Sequence, residues 1–343
     1  MQPWRPWLGQ RWSGAGSSSA AQVATLRGGH PGETVGGDNR ADRVYNLGMH
    51  TTTFTFDAAD GPAIHTYRWS DPARAIAVGT VQIAHGMGEH AARYARLAEA
   101  LTGAGWVVYA NDHRGHGQSA GGPEVGDGGL GDLGVGGWNG LVDDVGRLNR
   151  LIAAEQSGPR VLLGHSMGSF AAQQFVLDHS ADIDGLVLSG TTAVDLAVAT
   201  FDPDAPADLT ALNAGFEPAR TPYDWLSRDD AEVDQYVNDP FCGFGIDQPA
   251  TKGLIESGPR LGDPEALAGI RSDLPIYLVA GSADPLNFDL ALVELVAQRY
   301  RDAGVADITT DFHQDARHEV FNETNRDEIT ANLLTWLDRF IAR

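Results

Sequence analysis

The feature that most limits what this chain can fold into is an alternation of strand and helix signals that runs from Thr51 to the C-terminus and breaks off once, over residues 192–270. Thr80–Ala84, Trp106–Ala110, Val161–Leu163, Leu186–Leu188, Leu274–Val279 and Ile308–Phe312 read as short buried strands. Helical patterns follow at 91–103, 138–155, from Met167 onward, 288–303 and 325–341. Such an alternation builds a mainly parallel sheet with helices on both faces. Ahead of it, Thr52–Phe56 and Ile64–Trp69 alternate with period two around Asp60-Gly61-Pro62, the pattern of an antiparallel hairpin. Block 192–270 shows short helical patches, Pro-containing turns and scattered aromatics, and no strand pattern. It reads as a mainly helical insertion that divides the core into 50–191 and 271–343.

Residues 1–49 differ from the rest. Gly14, Gly16, Ser17–Ser19, Gly28-Gly29 and Gly36-Gly37 leave no lasting period, so this stretch reads as a disordered or non-native leader, with Met49 as an alternative start. Across the 343 residues, 46 Asp and Glu face 24 Lys and Arg, a formal charge of −22. A surface this acidic argues against a nucleic-acid backbone or an anionic membrane as the main partner, and favours solubility and salt tolerance. Cys242 is the only cysteine, which excludes an intrachain disulfide and a Cys-based zinc site. No apolar run reaches 18 residues and no secretory h-region precedes the core, so a cytoplasmic setting is expected.

Gly164-His165-Ser166-Met167-Gly168 fits G-x-S-x-G. In a glycine-rich chain the letters alone are weak, but here they follow a strand directly and open a helix, as a nucleophile elbow requires. A serine hydroxyl needs a base to take its proton, and the base needs an acid to orient it. In an elbow architecture the chain order is serine, acid, histidine. Asp284 follows the strand 274–279, and His318 follows the strand 308–312, each in a loop at a strand's C-terminal end. His313 ends a strand, His179 ends a helix, and His165 neighbours the serine and is expected to point away from it. Asp315 competes with Asp284 for the acid's place.

Acyl transfer also needs donors for an oxyanion. His85-Gly86-Met87-Gly88-Glu89-His90 follows the strand 80–84, and the expected donors are the backbone N–H groups of Met87 and Met167. Asp112-His113-Arg114-Gly115-His116-Gly117 reads as a structured loop near the site, since His113 and His116 lack further ligands at a zinc spacing. Gly129-x-Gly131-x-x-Gly134 matches a dinucleotide fingerprint by letter but follows no strand. Cys242 reads as a buried small residue.

Taken together, His85–His90 with Arg93-Tyr94, Asp112–Gly117, Gly164–Gly168, Asp284 and His318 resemble the monoglyceride lipase and lysophospholipase group of serine α/β-hydrolases over residues 50–343. The resemblance implies the α/β-hydrolase fold. It implies an esterase with a Ser166–His318–Asp284 triad acting through an acyl-enzyme, with no metal or organic cofactor. It also implies that 192–270 is a cap over the acyl pocket. Gly86, Phe216, Trp225, Phe241 and Phe244 are then candidate substrate contacts, although packing of a small subdomain also explains the aromatics. The cap's acids (Asp202, Asp204, Asp208, Asp224, Asp229, Asp230, Glu232 and Asp234) and its lack of a long apolar helix leave shorter esters as open as monoacylglycerols or lysophospholipids. Acyl transfer, thioester or peptide hydrolysis would use the same triad, and a non-catalytic binding module is a further alternative.

Overall fold

The computed structural model describes residues 48–341, apart from 123 and 125–128. The reading of a disordered leader falls outside them, except at Gly48 and Met49. Eight strands form one sheet: β1 (His50–Asp57), β2 (Ala63–Ser70), β3 (Thr80–Ala84), β4 (Val107–Asn111), β5 (Arg160–His165), β6 (Gly185–Ser189), β7 (Ile276–Gly281) and β8 (Ile308–His313). Their order across the sheet is β1-β2-β4-β3-β5-β6-β7-β8. The expected hairpin is present: β1 pairs antiparallel with β2, Phe54 opposite Thr66. β2 then pairs antiparallel with β4, and every later pairing is parallel. This is the α/β-hydrolase architecture.

The helices are α1 (Ala95–Gly103), α2 (Gly137–Glu155), α3 (Met167–His179), α4 (Val194–Ala197), α5 (Asp230–Asn238), α6 (Gln248–Leu261), α7 (Pro264–Leu267), α8 (Ala291–Asp302) and α9 (Arg326–Leu337). The period of two sorts the strand residues between two cores. Leu162, Leu186, Leu188, Ile276 and Leu278 pack with Leu141 of α2, Phe170 of α3 and Val293 of α8. Val161, Leu163, Val187, Tyr277 and Val279 pack with Leu101 of α1 and Leu333 of α9. Both faces are covered, so the strands are buried on both sides and read as apolar runs. Among the described residues no helix is long and apolar enough to cross a membrane.

Two details differ from expectation. The pattern over 91–103 begins with a 3-10 turn, Ala91–Tyr94, before α1. The pattern over 288–303 becomes a helix only at Ala291, because Phe288, Asp289 and Leu290 hold φ of 51°, 53° and 69°. A right-handed helix cannot contain such residues.

Between β6 and β7 the described residues hold only helices and loops. This segment divides in two by packing. Ile246, Ala250, Leu254 and Leu261, in and before α6, join the core beneath α2 and α3. Trp225, Leu226 and Tyr236 instead form a small cluster of their own with Leu209, Leu212, Phe216, Tyr223 and Cys242.

Candidate active site

β5 ends at His165 and α3 begins at Met167, so Ser166 alone makes the turn. Its φ of 52° is a strained conformation for a residue with a Cβ. The turn is tight because the start of α3 presses against β3. A Cβ on Gly168 would lie 2.1 Å from the Ala84 carbonyl oxygen, so only glycine fits there. Ser166 is half-buried at the C-terminal edge of the sheet, where ligands bind in open parallel sheets.

Asp284 follows β7 and His318 follows β8. The Nδ1 of His318 is 2.9 Å from Asp284 Oδ2, with both side chains fully buried. Its other nitrogen, Nε2, is buried and has no hydrogen-bond partner among the described residues. The His318 ring lies 4.8 Å from that of His165, the residue before Ser166, and 4.8 Å from that of Trp225. Asp315 is exposed and its backbone N–H donates to Ser282 Oγ, so it does not approach His318 as an acid. His313 lies beside Asp311 instead, at 3.1 Å.

Electrostatics separate His318 from its neighbours. Burial lowers His85 and His113 well below the ordinary imidazole range, and takes His116 and His165 down to about 4. Burial acts on His318 too, but the Asp284 charge and hydrogen bond, with help from Glu319 and Glu89, outweigh it and raise its pKa. Of these five, His318 is the one whose protonated form the site stabilises, which a base must manage after taking a proton.

The loop after β3 lies beside the elbow. A Cβ on Gly86 would sit 3.1 Å from Ser166 Cβ and 2.9 Å from Glu89 Oε1. The Gly86 N–H donates to Glu89 Oε1 at 2.6 Å. The N–H groups of Met87 and Met167 donate to no described residue, which leaves them available to a ligand. The Asp112–Gly117 loop packs behind: His113 N–H donates to His85 Nε2 at 2.9 Å, and Asp112 accepts from Ala91 and Gln118 N–H.

A network that the sequence did not reveal joins this loop to the His318 loop. Arg93 donates to Glu89 at 2.6 Å and, with two nitrogens, to Glu319 at 2.6 and 2.8 Å; Tyr94 donates to Glu89 at 2.7 Å. Arg93 and Tyr94 stand in the motif that carried the resemblance, but the residue they tie down, Glu319, lies 226 positions from Arg93 and has no signal of its own.

The candidate substrate contacts are spread around the site. Trp225 is buried against His318, Phe244 packs 5.0 Å from the His116 ring, and Phe241 stands 6.1 Å from the His90 ring. Phe216 lies under the Arg317 guanidinium at 4.7 Å. Several acids of the insertion serve structure: Asp208 and Asp229 cap helices, Asp229 pairs with Arg326, Glu232 with Arg96, and Asp234 with Arg220. Gly243 N–H also donates to Gly88 O, and Glu319 N–H to Leu226 O, so the insertion is bound directly to the loops after β3 and β8.

The family model described as Serine aminopeptidase, S33 (Hydrolase_4) matches residues 75–325. The chain belongs to this family. It is 31% identical over 270 residues to the monoacylglycerol lipase of Mycolicibacterium smegmatis, a match that covers 76% of this chain and 88% of that protein. It is 31% identical over 232 residues to the human monoglyceride lipase, covering 66% of this chain and 72% of that one. Among solved structures, this Hydrolase_4 member superimposes on a thermostable carboxyl esterase from Bacillus coagulans in complex with glycerol. The TM-score there is 0.74 at 26% identity, over 85% of this chain and 99% of that one. A soluble variant of the Saccharomyces cerevisiae monoglyceride lipase gives 0.66 at 20% identity over 88% and 98%, a likeness of fold.

Proposed function

We propose that the chain is a carboxylic-ester hydrolase acting on monoacylglycerols and comparable mono-esters through Ser166, His318 and Asp284. The observation that carries the site assignment is the buried His318–Asp284 pair at 2.9 Å, whose outer nitrogen is left without a partner beside the elbow. Ser166 Oγ attacks the ester carbonyl as His318 Nε2 takes its proton, and Asp284 holds the imidazole and balances its charge. Met87 and Met167 N–H groups receive the oxyanion. The alcohol leaves with the proton from His318. Water, activated by the same nitrogen, then frees the acid. The part of the insertion with its own cluster, around Trp225 and Phe216, is the cap over the acyl chain. Lipid contact is transient and made through that part.

The matching family's description raises peptide hydrolysis as a second reading. An aminopeptidase must bind a substrate ammonium, for which a carboxylate near the site is the natural partner. Glu89 and Glu319 are two buried carboxylates flanking the site loops, and Arg93 already engages both. That favours the ester. Turnover of p-nitrophenyl esters from C2 to C16, of 1-monoacylglycerols and of aminoacyl p-nitroanilides, with Ser166→Ala beside the wild type, tests the reading. Ser166-dependent turnover of esters alone supports it. Release of p-nitroaniline without ester turnover overturns it.

A further inference from the structure

A cluster outside the catalytic residues joins the same two parts of the molecule. His90 ends the loop after β3, whereas Asp239 and Cys242 lie in the turn after α5. His90 Nε2 and Asp239 Oδ2 are 2.9 Å apart although 149 positions separate them in the chain. One imidazole nitrogen, one carboxylate oxygen and the only thiol of the chain all lie within 4.8 Å of one another, half-buried. We infer that His90, Asp239 and Cys242 bind a thiophilic divalent cation of the Zn²⁺ or Co²⁺ class, which clamps the insertion to the loop carrying Gly86 and Met87.

Two arguments support this. The first is the donor set. Nitrogen, oxygen and sulfur from one His, one Asp and one Cys suit a borderline-soft ion and leave a fourth position for water. The second is reach. Tetrahedral bonds of about 2.0–2.3 Å place donor atoms roughly 3.3–3.6 Å apart. The His90–Asp239 pair is already closer than that, and the thiol needs to approach by about 1 Å, which side-chain rotation supplies. Burial pushes the Cys242 thiol up, so it is the ion that must draw the proton off. On binding, the thiol proton leaves to solvent, the thiolate and the carboxylate ligate, and His90 binds through Nε2 with its remaining proton on Nδ1. A single cysteine reads in the sequence as excluding a Cys-based zinc site, and this proposal departs from that expectation, because a mixed site assembled from two distant segments has no spacing signature.

The consequence is a brake on turnover. The clamp lies beside the Gly243 N–H to Gly88 O hydrogen bond, so a bound ion adds a second tie between the insertion and the loop after β3. The test titrates Co²⁺ into the full chain and follows the near-ultraviolet thiolate-to-cobalt charge-transfer band. With one cysteine per chain, that band reports Cys242 alone. The expected result is saturation at one equivalent, loss of the band in Cys242→Ser, and at least tenfold weaker binding in His90→Ala and Asp239→Asn. In parallel, Zn²⁺ should slow alkylation of Cys242 by iodoacetamide in the wild type, which needs no variant to fold. It should also slow ester turnover of the wild type more than that of His90→Ala. No band and no protection from alkylation overturn the proposal. So does a titration unchanged by both His90→Ala and Asp239→Asn, which means that the thiol binds alone. The spectroscopic arms do not depend on activity, so a failed ester assay and a failed metal site are told apart.

Discussion

At the scale of single residues, Ser166 and His318 carry different kinds of constraint. Ser166 is held in a strained turn, so its replacement tests chemistry with little disturbance of packing. Ser166→Ala should keep the thermal midpoint and lose roughly 10⁴–10⁶ in kcat on a p-nitrophenyl ester. In the proposed mechanism His318 must be neutral to accept a proton, and its pKa is raised because Asp284 outweighs burial. The rate should therefore fall as pH drops through a value above about 6.5, the ordinary imidazole pKa. Asp284→Asn removes both the charge and the carboxylate that accepts from Nδ1. It should lower kcat by roughly 10⁴-fold and move the acid limb of kcat/KM to lower pH. A limb that stays in place would show that another group titrates. Four other buried histidines, His85, His113, His116 and His165, stay neutral through this range, so they add no second limb.

At the scale of elements, the site depends on loops being tied to one another. Arg93 sits between two buried carboxylates, Glu89 in the loop after β3 and Glu319 in the loop after β8. Arg93→Ala leaves both unpaired in a low-dielectric place, which should cost about 3–5 kcal/mol in urea unfolding. Arg93→Lys keeps the charge but loses the bidentate fork, and should fall between wild type and Arg93→Ala. The start of α3 is fixed by sterics instead. Gly168→Ala drives a Cβ into backbone carbonyls of β3 and the loop after it, so it should destabilise the fold by about 1–3 kcal/mol in thermal melts. By contrast, the Arg326–Asp229 and Arg96–Glu232 pairs that hold the insertion are partly exposed, and each contributes about 1 kcal/mol or less.

At the scale of the whole molecule, the charge of −22 is the dominant long-range term. Like charges repel in the compact state more than in the expanded one. Raising salt from about 10 mM to about 150 mM shortens the screening length from roughly 30 Å to 8 Å. The melting temperature should rise over that interval in calorimetry. A fall would mean that attractive ion pairs outweigh the repulsion. The division of the insertion has a consequence at this scale too. The part that includes α6 shares the main core, so it should exchange its amide hydrogens as slowly as α2 and α3. The part around Trp225 should exchange faster.

The strand–helix order, the two-faced burial of the sheet, the elbow and the loops bearing Asp284 and His318 were all legible in the sequence. They rest on periodicity and on turn chemistry, which act between residues close in the chain. What the tertiary structure alone decided are relations between distant residues. It placed β4 between β2 and β3, brought His318 to Asp284, left Asp315 outside, and set His165 against the His318 ring. It also revealed the Glu89–Arg93–Glu319 tie, the meeting of His90 with Asp239 and Cys242, and the membership of α6 in the main core. No local pattern encodes these, because each is the outcome of packing whole elements against one another. Phe288–Leu290 fail for a related reason: their apolar spacing fits a helix, and only the path of the loop after β7 forces them to positive φ.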